Sequence, residues 1–433
     1  MIAKSLLKQI IVENREFIEK KILSPIRRDL LDSLPKPDRA IIFYGVRRAG
    51  KTFLLYEIFR SAPASSLYLD FEDERLAGFV LEDFETVREA FFELNPDFLG
   101  AKNVQFLFDE IQRIKEWEGF ARRMLEKEGV VVYAAGSSTR IHPENIGTAL
   151  RGRFAAFELY PFSFREFIRL RVPRGDIKPL LFGRERVRLK RHFEEYLRWG
   201  GLPEIIRADS EIEKARILKE YLNAIYFRDL VERFEIKNFA LFNALWDFLF
   251  SSFAAKFSIN SFGSKYRDEF PFSKDSLYAY YRGFTESRMI LEVRKYAESS
   301  YRRLKTPVKI YIADNGLARR ITSRDSGRLL ENLVLLELKR RGKNLFYFEG
   351  KRECDFVAVG PDETRAVFQV VFELNENTRK REAEGLVEAA KALGLKDGTI
   401  LSNDQEDSFT QESVRINVLP VWKWSLTDNE FQA

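Results

Sequence analysis

The chain reads as an α/β protein: a parallel sheet with helices on both faces, then a helical stretch, then a return to strands. Three observations support this. Apolar runs near 40–44, 66–71, 104–108, 130–135 and 154–159 alternate with helical stretches, as crossover connections between parallel strands require. The first run leads straight into a loop rich in glycine that ends in Lys-Thr. From about Ser163 to Ile236 the sequence is helical, broken once by Gly200-Gly201-Leu202-Pro203, and strands return near Met289.

Taken in order, residues 1 to 34 look helical and amphipathic, and Pro35-Lys36-Pro37 marks the entry to the first strand. The loop that follows that strand is Gly45-Val46-Arg47-Arg48-Ala49-Gly50-Lys51-Thr52, with the spacing G-x-x-x-x-G-K-T. Glycines let such a backbone curl so that its N–H groups point inward at phosphates. The lysine neutralises the outer phosphates, and the threonine hydroxyl is a Mg²⁺ ligand. A helix starting near Lys51 adds its N-terminal dipole. A plain glycine turn would not explain the Lys-Thr pair.

Val104 to Glu110 is an apolar strand ending in two adjacent carboxylates. Side chains diverge at a strand end, so one can face a metal and the other the γ-phosphate. Asp109 is assigned to Mg²⁺ and Glu110 to activation of the attacking water. The strand Val130 to Ala135 runs into Gly136-Ser137-Ser138, where Ser137 either contacts the γ-phosphate or water, or simply turns the chain. Arg151 and Arg153 near a nucleotide site suggest an arginine finger or phosphate sensor; the other reading is a surface pair holding a turn.

Gly45 to Arg153 resembles AAA+-type ATPases. The fuller pattern resembles a prokaryotic, largely archaeal family whose P-loop domain precedes a C-terminal domain of unknown function. The matching pieces, in order, are the phosphate loop, Asp109-Glu110-Ile-Gln with Trp117, Gly136-Ser137-Ser138 and Leu150-Arg151-Gly152-Arg153. They continue with Tyr160-Pro161-Phe162-Ser163-Phe164-Arg165-Glu166-Phe167, Trp199-Gly200-Gly201-Leu202-Pro203-Glu204, Gly327 to Asn332, and Glu353-Cys354-Asp355-Phe356. The resemblance implies ATP hydrolysis with ATP and Mg²⁺ as cofactors. It gives no biological partner. By position, the helices of 163–238 resemble the lid that follows an AAA+ core, after a P-loop domain over 1–162.

Composition bounds the rest. A chain of 433 residues suggests about three domains. Its hydrophobic content of 45% is enough for several cores. The single cysteine, Cys354, excludes an internal disulfide and a cysteine metal cluster. No apolar run reaches membrane-spanning length and no signal-peptide pattern opens the chain, so a cytoplasmic protein is expected. Charged residues at 32%, with 3 Met, fit the ion-pair-rich surface of a thermophile. A net charge of +6 permits nucleic-acid contact without demanding it. The basic run from Arg184 to His192 reads as a solvated helix face.

Residues 239–325 follow the winged-helix order. Helices are expected near 240–255, 260–268 and from an N-cap at Ser273 to Phe284, then two strands, Met289 to Val293 and Val308 to Ile312. Lys274, Tyr278 and Arg282 would face a DNA groove, with the loop bearing Arg302, Arg303 and Lys305 as the wing. The alternative is that this module packs on protein and touches no DNA; Asp275 and Glu286 dilute its basic face.

Residues 326–433 begin with a helix containing Glu331. Strands near 344–349, 353–359 and 365–372, a helix near 378–393 and a strand near 398–401 follow. This order resembles the PD-(D/E)xK nuclease fold, in which acids on the second and third strands chelate Mg²⁺ and a nearby lysine assists water. Glu331 and Asp355 are in place, but Gln369 stands for the third-strand acid and Val371 for the lysine. A degenerate, non-cleaving domain is expected, although Glu353 or Glu373 could compensate.

Three functional readings follow. One is an ATP-driven motor or switch acting on an unknown partner, with a protein, a second copy or DNA as candidates. Another is a nucleic-acid-binding protein or nuclease whose ATP site regulates binding. A third is a slow STAND-like signalling NTPase.

Overall fold

The computed structural model describes all residues except 22–25, 36–37, 138–140, 142–149, 151, 173–182, 298–305, 320–324 and 428–433. It divides into two compact units, Met1–Leu159 and Tyr160–Ala433.

The first unit runs α1 (Lys4–Lys21), β1 (Ala40–Tyr44), α2 (Lys51–Ser61), β2 (Ser66–Asp70), α3 (Asp83–Leu94), β3 (Gln105–Asp109), α4 (Trp117–Arg123), β4 (Val131–Ala135) and β5 (Phe154–Glu158). The strands form one sheet in the order β2-β3-β4-β1-β5, with every pairing parallel. All five expected strands are there. In β1 to β4 the apolar residues run without alternation because both faces are covered, while the edge strand β5 is half-buried throughout. Successive residues of β3 serve opposite cores: Phe106 and Phe108 pack with Phe84 and Phe91 of α3 and Phe120 of α4, while Leu107 packs with Leu54, Leu55 and Phe59 of α2. Rings of Phe84 and Phe120 stack at 4.6 Å. The expected N-terminal helix is shorter than the sequence suggests: α1 ends at Lys21, and a separate 3₁₀ turn covers Asp29–Ser33.

The second unit opens with α5 (Phe164–Arg171), α6 (Gly183–Trp199), α7 (Pro203–Arg207) and α8 (Glu211–Ala224), which widens into a π-helical stretch to Glu232. Ser163 starts α5 with a capping box, its hydroxyl accepting the Glu166 N–H while the Glu166 carboxylate accepts the Ser163 N–H. Then come α9 (Phe239–Ser251), β6 (Ala255–Phe257), α10 (Ile259–Lys265), α11 (Lys274–Glu286), β7 (Ile290–Lys295) and β8 (Val308–Ile312). Ser273 caps α11 by accepting the Ser276 N–H, as its position suggests. The chain continues with α12 (Asn315–Arg319), α13 (Ser326–Arg340), β9 (Asn344–Glu349), β10 (Glu353–Val359), β11 (Arg365–Val371), α14 (Glu376–Ala392), β12 (Asp397–Ser402), β13 (Asp407–Gln411), β14 (Val414–Pro420) and α15 (Val421–Trp424).

Nine strands of this unit form one sheet, ordered β13-β14-β12-β11-β10-β9-β7-β8-β6. The β7–β8 hairpin is antiparallel, and β7 joins β9 in parallel through Arg294↔Phe346 and Lys295↔Tyr347. Strand pairing therefore crosses the division expected at 325/326. Strands β6, β7 and β8 thus continue the sheet of the C-terminal strands. Among the described residues no helix is long and apolar enough to cross a membrane.

Candidate functional site

The phosphate loop lies between β1 and α2. Gly45 has φ +145°, and a Cβ there would stand 2.3 Å from the Leu159 carbonyl oxygen, so only glycine fits. Arg48 (φ 69°) and Gly50 (φ 97°) are left-handed, which curls the loop. Gly50 precedes α2 without a side-chain cap, so the first turn offers its N–H groups to a bound anion. Lys51 is buried, and its Nζ donates to the carbonyls of Gly45 and Val46 at 3.0 Å each. The lysine is thus folded over the loop that would hold the phosphates.

Asp109 ends β3 and is 2% exposed. Burial, then the Glu110 charge, pushes its carboxyl up to about 7; a hydrogen bond with the Thr52 side chain and the Lys51 ammonium oppose the rise. The Tyr68 hydroxyl donates to Asp109 Oδ2 at 3.3 Å. Thr52 and Asp109, the two expected metal ligands, are therefore joined directly. Glu110 follows in a left-handed conformation (φ 48°) that turns it away from the strand direction. Burial raises its carboxyl, and Lys51 is the first of the groups opposing that rise.

Two residues given no role from the sequence belong to this site. The Gln112 amide donates to Glu110 Oε2. Its Oε1 is so close to Gly136 that a Cβ there would meet it at 1.8 Å. Arg28, 5% exposed, donates from Nη1 to the Ala49 carbonyl at 2.9 Å and so braces the loop from the N-terminal segment. No motif spacing flags either residue, although Gln112 stands within the Asp-Glu-Ile-Gln segment.

The remaining expected residues fare differently. Ser137 is half-buried just past β4. Ser138 and Arg151 lie outside the described residues. Arg153 does not reach the phosphate loop of its own chain. It precedes β5, its carbonyl accepts the Ala40 N–H at the start of β1, and its guanidinium pairs with Glu126 at 2.5 Å. The loop follows the other end of β1, so the sensor reading in the same chain is corrected.

Residues 37–168 match a family described as an AAA domain (AAA_14). Residues 190–328 and 326–424 match two domains of unknown function, DUF8612 and DUF4143. The "Uncharacterized protein MJ1544" of Methanocaldococcus jannaschii is 33% identical over 439 residues, spanning 98% of this chain and 96% of that protein. The chain belongs to this family, whose N-terminal part is an AAA-type P-loop ATPase domain. An uncharacterized protein of Haemophilus influenzae is 27% identical over 351 residues, covering 78% of this ATPase-family chain and 84% of its own. Among solved structures, the Aeropyrum pernix ORC2 protein in its ADPNP–ADP complexes is similar at 13% identity, covering 78% of this chain and 94% of that one, with a TM-score of 0.37. The Thermotoga maritima RuvB Holliday junction branch migration motor is similar at 12% identity, over 70% and 93%, with a TM-score of 0.28. DUF8612 and DUF4143 meet at 326–328, inside the stretch that one sheet spans.

In the second unit of this family member, Glu331, Asp355 and Gln369 do come together. Gln369 Oε1 accepts the Asp355 N–H at 3.1 Å. Glu331 and Asp355 share one partner, Lys309 on β8, which the sequence reading did not single out. The signal was there: a lysine inside Val308-Lys-Ile-Tyr-Ile, on the same strand face as Tyr311. Burial disfavours the Lys309 charge, but Asp355 and Glu331 outweigh it and hold its proton on well above the usual range. Burial, then Asp355, pushes Glu331 up to about 7, against Lys309 and the Tyr311 hydroxyl. Val371, in the expected lysine position, is an ordinary core residue. Glu353 joins the cluster; Glu373 is exposed. On α11, Lys274, Tyr278 and Arg282 are exposed. Tyr278 donates to Asn260 and Arg282 pairs with Glu286 at 3.3 Å. The expected wing residues Arg302, Arg303 and Lys305 lie outside the described residues.

Proposed function

We propose that this chain hydrolyses ATP with Mg²⁺ and uses the turnover as a switch or motor on a partner. The observation that carries the reading is the buried Asp109 carboxylate, joined to Thr52 and flanked by Glu110 at the mouth of a loop that Lys51 overlies. Thr52 and Asp109 supply the hard oxygen ligands that suit Mg²⁺. When bound, that ion neutralises charge on the phosphates. The chain's own residues do the rest. Gly45 to Lys51 present backbone N–H groups to the phosphates, and Lys51 moves from the loop carbonyls onto the outer phosphates. Glu110 orients the attacking water and takes its proton, while Gln112 holds the Glu110 carboxylate in place.

The test is an ATPase assay paired with nucleotide binding. Lys51→Ala should weaken binding. Glu110→Gln should bind normally and turn over roughly 10²–10⁴-fold more slowly, the usual contribution of a general base. Wild-type turnover by Glu110→Gln sinks the assignment. Running the assay with and without duplex DNA, with light scattering in parallel, reports whether the partner is DNA, a second copy or neither.

A further inference from the structure

The carboxylate cluster of the second unit is neutralised from within. Lys309 Nζ lies 2.7 Å from Glu353 Oε1, 2.9 Å from Asp355 Oδ1 and 3.2 Å from Glu331 Oε1, and its side chain is 4% exposed. The same carboxylates have further internal partners. Glu331 Oε1 also accepts the Tyr311 hydroxyl at 2.6 Å. Asp355 Oδ2 accepts the Val370 N–H at 2.9 Å. Glu353 Oε2 faces Lys256 at 2.7 Å. Gln369 is not a spare ligand either: its carbonyl takes the Asp355 N–H, and its amide donates to Glu382 Oε2 at 2.6 Å.

A divalent cation at these oxygens would need contacts of about 2.0–2.1 Å for Mg²⁺ in a near-octahedral shell. It would have to evict an ammonium already bridging the same three side chains, or share a buried pocket with it. Two cations a few ångströms apart in a low-dielectric interior repel strongly. The residues therefore do not fit the metal that a nuclease of this fold would carry. Among the described residues, no group of three or more His, Cys, Asp or Glu side chains is arranged to hold a metal ion.

We propose that Lys309 is the resident cation of this cluster, standing where a metal-dependent nuclease would hold its ion. It ties β8 to α13 and β10 through Glu331, Glu353 and Asp355, so the carboxylates serve as a structural ion-pair centre and phosphodiesters are not cut. Replacing the metal with a side chain makes the centre independent of chelators. It also couples the β7–β8 hairpin to the C-terminal strands through buried charge.

The test uses the full chain without nucleotide. Mn²⁺ is titrated by electron paramagnetic resonance against wild type and Asp355→Asn, both carrying Asp109→Asn to remove the expected metal ligand at the end of β3 beside the phosphate loop. Equal stoichiometry supports the proposal, and one equivalent lost in Asp355→Asn overturns it. Cleavage of linear, supercoiled or branched DNA in Mg²⁺ or Mn²⁺ that disappears in Asp355→Asn also overturns it. A double-mutant cycle in thermal unfolding keeps the idea falsifiable if single variants are unstable. Lys309→Met leaves carboxylates buried without their cation, so Lys309→Met/Asp355→Asn should lose less stability than the two single losses added together. Additive losses count against a coupled ion-pair centre.

Discussion

Gln112 shows how much of the candidate site rests on residues whose role no motif spacing announces. Its amide reaches the Glu110 carboxylate, and its body fills the space that Gly136 leaves open. Glu110 needs such a guide because its backbone is left-handed, a conformation that sets its side chain off the strand direction. We expect Gln112→Ala to lower kcat by roughly 10–100-fold, the usual range for losing a partner that orients a functional group, with KM for ATP little changed. A variant with raised KM and unchanged kcat would place Gln112 in nucleotide binding instead. The two carboxylates themselves were legible because an apolar strand ending in Asp-Glu, downstream of a phosphate loop, is where a metal ligand and a water-orienting group are expected. Gln112, Arg28 and Lys309 were not. Their roles come from contacts 2, 21 and 46 residues away in sequence, to Glu110, Ala49 and Asp355.

At the scale of elements, legibility followed burial pattern and turn chemistry. Four of the five parallel strands, β1 to β4, were readable as unbroken apolar runs because both faces are covered. Strands β13 and β14 were not expected. The turn between them is Glu412-Ser413, both at positive φ (48° and 69°), without the glycine or asparagine that normally announces such a turn. Strand β6 is three residues long, too short for any periodicity. Among the helices, Glu195 of α6 gathers partners from three elements. His192 on its own helix, Lys214 of α8 at 2.5 Å and Arg171 of α5 at 2.8 Å hold its carboxyl down at about 2, against partial burial. A carboxyl depressed from its ordinary 4.5 contributes stability that is present above about 4.5 and lost as pH falls through about 2. Glu195→Gln should therefore unfold at a lower temperature than wild type at pH 7. The gap should narrow as pH drops from 5 to 2. A gap constant across that range would show that the ion pairs contribute nothing.

For the whole molecule, the sheet geometry decides where an arginine can act. The phosphate loop follows the carboxyl end of β1, and Arg153 stands beside the amino end, its carbonyl bonded to Ala40. The five residues of β1 separate the two by roughly 16 Å at about 3.3 Å per residue. Arg153 is 57% exposed at its side chain, and its partner Glu126 lies on the surface of the same unit. An exposed pair of this kind holds its geometry weakly, commonly by less than about 1 kcal/mol, so the guanidinium is available to a neighbouring subunit. If Arg153 acts as a finger, it therefore does so on the nucleotide of a second copy. The expected outcome is turnover per chain that rises with protein concentration, in step with assembly seen by light scattering. Arg153→Ala should be slow alone and partly rescued by mixing with Lys51→Ala, because mixed interfaces pair an intact arginine with an intact phosphate loop. Turnover per chain that stays flat across the assembly range would leave Arg153 with its Glu126 contact alone.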